Sequence, residues 1–320
     1  METALKTVTA GSGFAHRLRR HRLLLAGIAS IAIAGTMSPP FLQADNLANL
    51  LIQLAPLGIV VIGQTLVILV AGLDLSVASL MATSAVLCTL FPAENSSVLP
   101  ILASVTALGL VVGGVNGWLV TKRHVSSFLA TLATMIVLVG VRLTITHGAP
   151  SGNLPPLVRT VAIGAVGGVP YSLFLLLTLA FTVSLILQST IVGRMVRAAG
   201  ASPTAAALVG YPVATVKTSC YMASSVLAAW GGVLLAGYVG SIDNWVGKGY
   251  ELDSIVAAVV GGVALTGGVG TIVGALSGTV ILMVVSNLVL LLGLPVQFQL
   301  LIKGVAIVVA AALYVDRQKD

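Results

Sequence analysis

The stretch GRMVRAAGASPTAAALVGYPV, from Gly193 to Val213, lies between two long apolar runs and reads as a short capped helix in a basic loop. Arg194 and Arg197 place it on the cytoplasmic side of a membrane. Gly200 can stop what precedes it, and Ser202 followed by Pro203 is a cap plus a first-turn proline. Ala205, Ala206, Ala207, Leu208 and Val209 then make one or two turns, and Gly210 closes them. So small a helix has almost no core of its own. Its alanine-rich face suits docking into a soluble partner, although an ordinary ordered loop between two membrane helices fits the local chemistry equally well.

Composition sets the class around that segment. The chain is 58% hydrophobic and 8% charged, with a mean hydropathy of +1.09, and apolar runs near the length of a bilayer crossing recur throughout. This predicts an all-α polytopic inner-membrane protein. The 35 glycines among 320 residues fit closely packed membrane helices, where small residues let backbones approach. Cys88 and Cys220 lie alone in separate apolar runs, which points to core filling and to neither a disulfide framework nor a metal site.

Hydropathy gives about ten spans, at 22–38, 47–70, 75–91, 98–120, 125–146, 170–190, 214–237, 252–265, 272–292 and 297–315. Residues 1–21 read as a basic cytoplasmic arm, and 22–320 as a single membrane domain containing the 193–213 segment. Lys6, Arg17, Arg19, Arg20, Arg22, Lys122, Arg123, Arg194, Arg197, Lys217, Arg317 and Lys319 share one side if both termini are cytoplasmic. The opposite loops hold Asp45, Glu94, Asp243, Glu251 and Asp253 with Arg159 and Lys248. The net charge of +7 is thereby a topology signal, and no nucleic-acid partner is implied. RLRRHRLLLAGIASIAIAG resembles a signal peptide but is expected to stay as an uncleaved first span. The outer loop His147–Pro170 is expected to be a folded surface turn.

Two interruptions share a character. AGLDLSVASL, Ala71–Leu80, and ALTGGVGTIVGAL, Ala264–Leu276, break the apolar pattern between short flanking spans, a pattern that hints at an internal repeat and a transport path. Asp74 stands out because a carboxylate near hydrocarbon is costly. It can mark function, or it can cap the next helix with Ser76 after Gly72 ends the last. Gln64, Asn116, Thr131, Thr134 and Asn287 supply uncharged donors and acceptors, as a path for a polyhydroxylated solute requires. Each can equally be a helix-to-helix hydrogen bond. Lys303 is expected to reach a carbonyl or the interface.

Motifs for chemistry are missing from the sequence. There is no GxxxxGK[ST] loop: VGKGY around Lys248 lacks the spacing and the following Ser or Thr. There is no HExxH, and His16, His21, His124 and His147 are scattered over loops. Gly200-Ala201-Ser202 superficially matches the GxS of an intramembrane protease, but His147 maps to the other side of the membrane. No catalytic or metal-ligating residue is predicted, and an ion-driven carrier would need more intramembrane acids than Asp74 and Asp253 supply.

The chain resembles the ribose-type inner-membrane permeases of binding-protein-dependent ABC sugar importers, from about Asn46 to Val315. Four stretches carry this in order: GQTLVILVAGLDLSVASL (63–80), GGVNGWLVTKRHVSSFLATLATM (113–135), the 193–213 segment, and GKGYELDSIVAAVVGGVALTGGVGTIVGALSG (247–278). The chain departs from the family pattern at Pro203 or Thr204, where relatives often carry an acid, at Ser126, near a usual proline, and at Ala133, near a usual glycine.

The resemblance implies an ABC importer permease fold of about ten helices embedded in lipid and working by alternating access. It implies a second permease, identical or sister, two cytoplasmic ATP-binding subunits that alone bind ATP, and a periplasmic solute-binding protein. It makes 193–210 the region of a coupling helix, with Arg194, Arg197, Gly200, Ser202, Ala205, Ala206 and Gly210 as coupling residues. The outer acids and Arg159 would form the rim where the binding protein lands. A pentose leads as solute, with hexoses, sugar alcohols or a furanosyl signalling molecule behind it. An importer of branched-chain amino acids or nucleosides is the alternative.

Overall fold

The computed structural model describes residues 24–91, 98–149 and 154–316, so the 1–21 arm, Glu94, Arg317 and Lys319 lie outside the described residues. Each of the ten predicted apolar runs holds a helix. They are α1 (Leu24–Met37), α2 (Ala44–Leu69), α3 (Val77–Thr89), α4 (Leu99–Lys122), α5 (Ser127–Ile145), α7 (Tyr171–Ser189), α10 (Val213–Val239), α11 (Tyr250–Val260), α12 (Ile272–Leu291) and α13 (Gln297–Asp316). Six of these, α2, α4, α5, α7, α10 and α12, are long and apolar enough to cross a membrane. α3 and α11, with 13 and 11 residues, are cut short by the two interruptions.

Three further helices were not among the predicted spans or only in part. α6 (Pro156–Ile163) precedes a two-stranded hairpin, β1 (Ala165–Val166) and β2 (Val169–Pro170), whose Gly167 and Gly168 both have positive φ, as a tight two-residue turn demands. The described part of the 147–170 loop thus holds a helix and a hairpin, and α6 packs on α10, where Gly237 faces the Val158 carbonyl. α8 (Ile191–Ala201) and α9 (Pro203–Leu208) make up the 193–213 segment.

α2 and α10 form the centre and are mostly buried, whereas α4, α5 and α7 present wide apolar faces outward. The α4–α10 contact shows how glycine is used. A Cβ at Gly109, Gly113 or Gly117 would lie 2.8, 2.5 and 2.7 Å from the Cα atoms of Val226, Met222 and Thr218. Both triplets recur every four residues, so one face of each helix meets the other backbone to backbone, and dispersion replaces the hydrophobic drive that lipid removes.

α2 ends with a Schellman pair: Ala71 N–H donates to the Ile68 carbonyl and Gly72 N–H to that of Val67, both at 2.9 Å. The left-handed position falls on Ala71 (φ 58°) and not on Gly72. Gly72 is required for space instead, since a Cβ there would sit 2.4 Å from the Tyr221 hydroxyl. The two interruptions then meet: a Cβ on Gly267 would lie 2.9 Å from Ala71 N, and beside them Gly268 N–H donates to the carbonyl of Leu69, the last residue of α2, at 2.9 Å.

Candidate translocation and coupling sites

Backbone inside a membrane must have every polar group satisfied. Four consecutive N–H groups in the first interruption find side-chain acceptors. Leu73 N–H donates to Ser127 Oγ (3.3 Å), Leu75 N–H to Thr131 Oγ1 (3.1 Å) and Ser76 N–H to Asp74 Oδ1 (3.0 Å). The Gln64 amide, oriented to suit both groups, accepts from Asp74 N–H (3.3 Å) and donates to the Asp74 carbonyl (3.1 Å).

The side chains then bond among themselves. Ser76 Oγ donates to Asp74 Oδ1 (2.6 Å), Ser224 Oγ to Asp74 Oδ2 (3.4 Å), Asn116 Nδ2 to Ser76 Oγ (3.0 Å) and Thr134 Oγ1 to Asn116 Oδ1 (2.6 Å). Gln64, Asp74, Asn116 and Thr131 are fully buried. Five of the six residues singled out as path candidates therefore join into one cluster that ties the broken segment to α2, α4, α5 and α10. Neither Asp74 nor Ser76 caps α3 through its side chain: Asp74 accepts from the N–H and hydroxyl of Ser76, the residue before the helix. Ser127 and Ser224 belong to the same cluster, and nothing in the sequence distinguished them from other serines.

Asn287 lies apart. It exchanges hydrogen bonds with Asn46 (2.9 and 3.1 Å) and faces a cavity of about 220 Å³ between α2, α11, α12 and α13. Gln53, Tyr250, Asp253 and Lys303 share that wall. Lys303 does not reach a carbonyl or the interface: its Nζ pairs with Asp253 at 2.7 Å, with both side chains mostly buried. The fifty-residue separation of the two hid this pair from the sequence.

The 193–213 segment is built as its caps dictate. Ser202 Oγ accepts from Ala205 N–H (3.2 Å), Pro203 opens α9, and Gly210 (φ 83°) closes it with Tyr211 N–H donating to the Ala206 carbonyl at 3.0 Å. Three expectations need correction. Gly200 does not stop α8 but lies within it. A Cβ there would be 1.8 Å from the Leu69 carbonyl and 2.7 Å from Gly268 N, so its role is close approach to the end of α2 and to the second interruption.

Ala206 faces inward and is buried, because a six-residue helix needs at least one side chain to anchor it. The exposed face carries Ala205, Leu208 and Val209, the last two at 84% and 70% exposure. Arg197 is turned to its own chain, where it donates to the Gly270 and Leu187 carbonyls, both at 3.4 Å, while Arg194 is exposed. α8 thus sits on the second interruption through Arg197 and Gly200, and on the end of α2 through Gly200.

Among the described residues, no cluster of three or more His, Cys, Asp or Glu is arranged to hold a metal, and Cys88 and Cys220 are buried free thiols.

A helical membrane bundle with two broken segments, and with a short capped helix carried on α8 and α10, is the architecture of a polytopic membrane protein. Residues 46–311 match the family described as branched-chain amino acid transport system / permease component, and the chain belongs to that family. Curated relatives are similar over nearly the full length. The ribose import permease protein of Escherichia coli K12 is 36% identical over 308 residues, 95% of each chain. That of Bacillus subtilis is 37% identical over 295 residues, 91% of this chain and 90% of its own. The galactose/methyl galactoside import permease protein of Haemophilus influenzae is 31% identical over 92% of this chain and 94% of its own. No solved structure matches the chain.

Proposed function

We propose that this chain is the membrane subunit of an ATP-binding-cassette importer that passes a sugar, a pentose first, into the bacterial cytoplasm. The reading rests on its family and on the names of its relatives, which are ribose and galactoside import permeases. It favours sugars over the branched-chain amino acids of the family description. Ten crossings follow if α1, α3, α11 and α13 join the six long helices, with both termini inside and residues 22–320 acting as one domain. A second permease copy or a sister subunit completes the path. ATP is bound by two cytoplasmic partners, and the binding protein lands on the rim of α6 and the 240–249 loop.

One observation carries the coupling part of this reading: Leu208 and the following Val209 are exposed at the end of α9, while Gly200 and Arg197 fix the preceding α8 to the end of α2 and to the second interruption. Closure of the ATP-binding pair would push this unit, and the interruptions would move with it as the permease pair switches packing. The Asp74 cluster keeps the first interruption intact during that motion, and Asn287 with its cavity lines the path.

Leu208→Asp tests this directly. We expect a folded permease that no longer co-purifies with its ATP-binding subunits and whose D-ribose uptake falls at least about tenfold, since a buried unpaired charge at an interface costs several kcal/mol. Unchanged uptake and co-purification would show that α9 is not the contact.

A further inference from the structure

Arg142 on α5 is 2% exposed, and its guanidinium is only partly used. Nη1 donates to the Ser79 carbonyl (3.1 Å) and to Thr83 Oγ1 (3.3 Å), both on α3. Nε is buried without a partner, and among the described residues no carboxylate lies within ion-pair distance of Arg142, while the charge of Asp243 acts on it from further away. A cation held in a low-dielectric interior with donors unspent is costly, and its presence calls for an acceptor that arrives from outside.

Arg142 faces a cavity of about 140 Å³ between α3, α5 and the loop leading into α11. Across it stand Asn244, Trp245, Lys248 and Glu251. Trp245 is 53% exposed and carries Lys248 Nζ over its ring at 5.1 Å, so an aromatic face stands at the mouth. The loop is fixed to the end of α5 by Asn244 Nδ2, which donates to Thr146 Oγ1 and to the Gly148 carbonyl, both at 3.1 Å. Glu251 spends Oε2 on Gly249 N–H (2.9 Å) and still contributes a carboxylate to the wall.

This mixture of signs selects the ligand. A carboxylate or phosphate would satisfy Arg142 and Lys248 but face Glu251, whereas a neutral polyol accepts from the cations and donates to the carboxylate at once. The planar fork of arginine matches two neighbouring hydroxyls, and the Trp245 ring matches the C–H face of a sugar ring. At about 30 Å³ per water, the cavity holds only a handful of waters or one small monosaccharide.

We infer that this cavity is a weak monosaccharide subsite, held by Arg142 and Glu251 and covered by Trp245, where solute pauses on entering the permease. The inference rests on the sugar-importer reading but addresses a site separate from the Asn287 cavity and from the Asp74 cluster.

The test uses the permease with its ATP-binding subunits in nanodiscs, without binding protein, and reads ligand protons by saturation-transfer NMR with D-ribose and, separately, sodium acetate as probes. Saturable D-ribose binding at millimolar concentration is expected, with none for acetate. Arg142→Gln should weaken it at least about tenfold and Trp245→Ala about threefold, as expected for one charge-assisted donor pair and one aromatic face. If Arg142→Gln does not fold, the exposed Trp245→Ala and Lys248→Met carry the comparison.

Equal midpoints in the variants and the parent, acetate binding in preference to D-ribose, or no saturable D-ribose binding overturns the subsite. A parallel uptake assay in vesicles, with binding protein and ATP, keeps the two readings apart. Uptake of D-ribose without binding at this cavity removes the subsite alone, and binding with no uptake of any sugar removes the importer reading alone.

Discussion

The Asp74 cluster and the Asp253–Lys303 cavity use the same kinds of side chain at membrane depth, and the two do different things with them. Around Asp74 the acceptors meet backbone N–H groups one for one, and the residues are buried with their bonds made to one another. Around Asp253 and Lys303 a single ion pair stands beside Asn287, Gln53 and Tyr250 with about 220 Å³ of open volume between them. A polar residue in a bundle is therefore a staple or a path element according to whether its bonding capacity is spent on neighbouring helices or left facing space.

The largest effect that sharpens this contrast is expected at the staple. Asp74→Ala removes the acceptor for Ser76 N–H, Ser76 Oγ and Ser224 Oγ together, and leaving buried donors unpaired costs about 3 kcal/mol or more. Membrane levels of folded protein should drop severely, as measured by fluorescence-detected size exclusion. Normal abundance with lost uptake would instead make Asp74 a path residue and break the comparison.

A middle-sized effect belongs to the ion pair. Lys303→Met leaves Asp253 without its partner, but the pair retains some solvent contact, so a loss of about 1–2 kcal/mol is expected in thermal unfolding. The double substitution Lys303→Met with Asp253→Leu should recover most of that stability while uptake stays low. Recovery of uptake as well would mean that the pair is a staple too.

Smallest is the pairing of Asn287→Ala with Thr134→Val. Each removes hydrogen bonds worth about 1 kcal/mol. D-ribose uptake per folded molecule should fall about fivefold for Asn287→Ala, the rate equivalent of one such bond, and be unchanged for Thr134→Val. Equal responses would erase the distinction between the two regions.

Much of the 193–213 segment was legible residue by residue, because caps act locally: Ser202, Pro203 and Gly210 do in space what their chemistry announces within four positions in sequence. The direction each residue faces was not legible. Ala205 and Ala206 are the same residue type, yet one is exposed and the other buried, since only contact with α10 and α8 fixes the rotation of so short a helix. Arg142 falls in the 125–146 apolar run, but that no described carboxylate lies within ion-pair distance of it depends on where α3 and the 240–249 loop lie.

Apolar run length, the glycine-rich breaks and the cap residues by themselves determined a helical membrane protein with ten apolar runs, two interruptions and a short capped helix, because hydrophobic length and capping act over a few residues. Tertiary structure alone decided that the end of α2 and the second interruption meet at Gly200, that five predicted path residues are stapled to a broken backbone, and that Asp253 finds Lys303. Those outcomes rest on hydrogen bonds and close approaches between segments tens to hundreds of positions apart, which packing of the helices brings to within 3 Å or so.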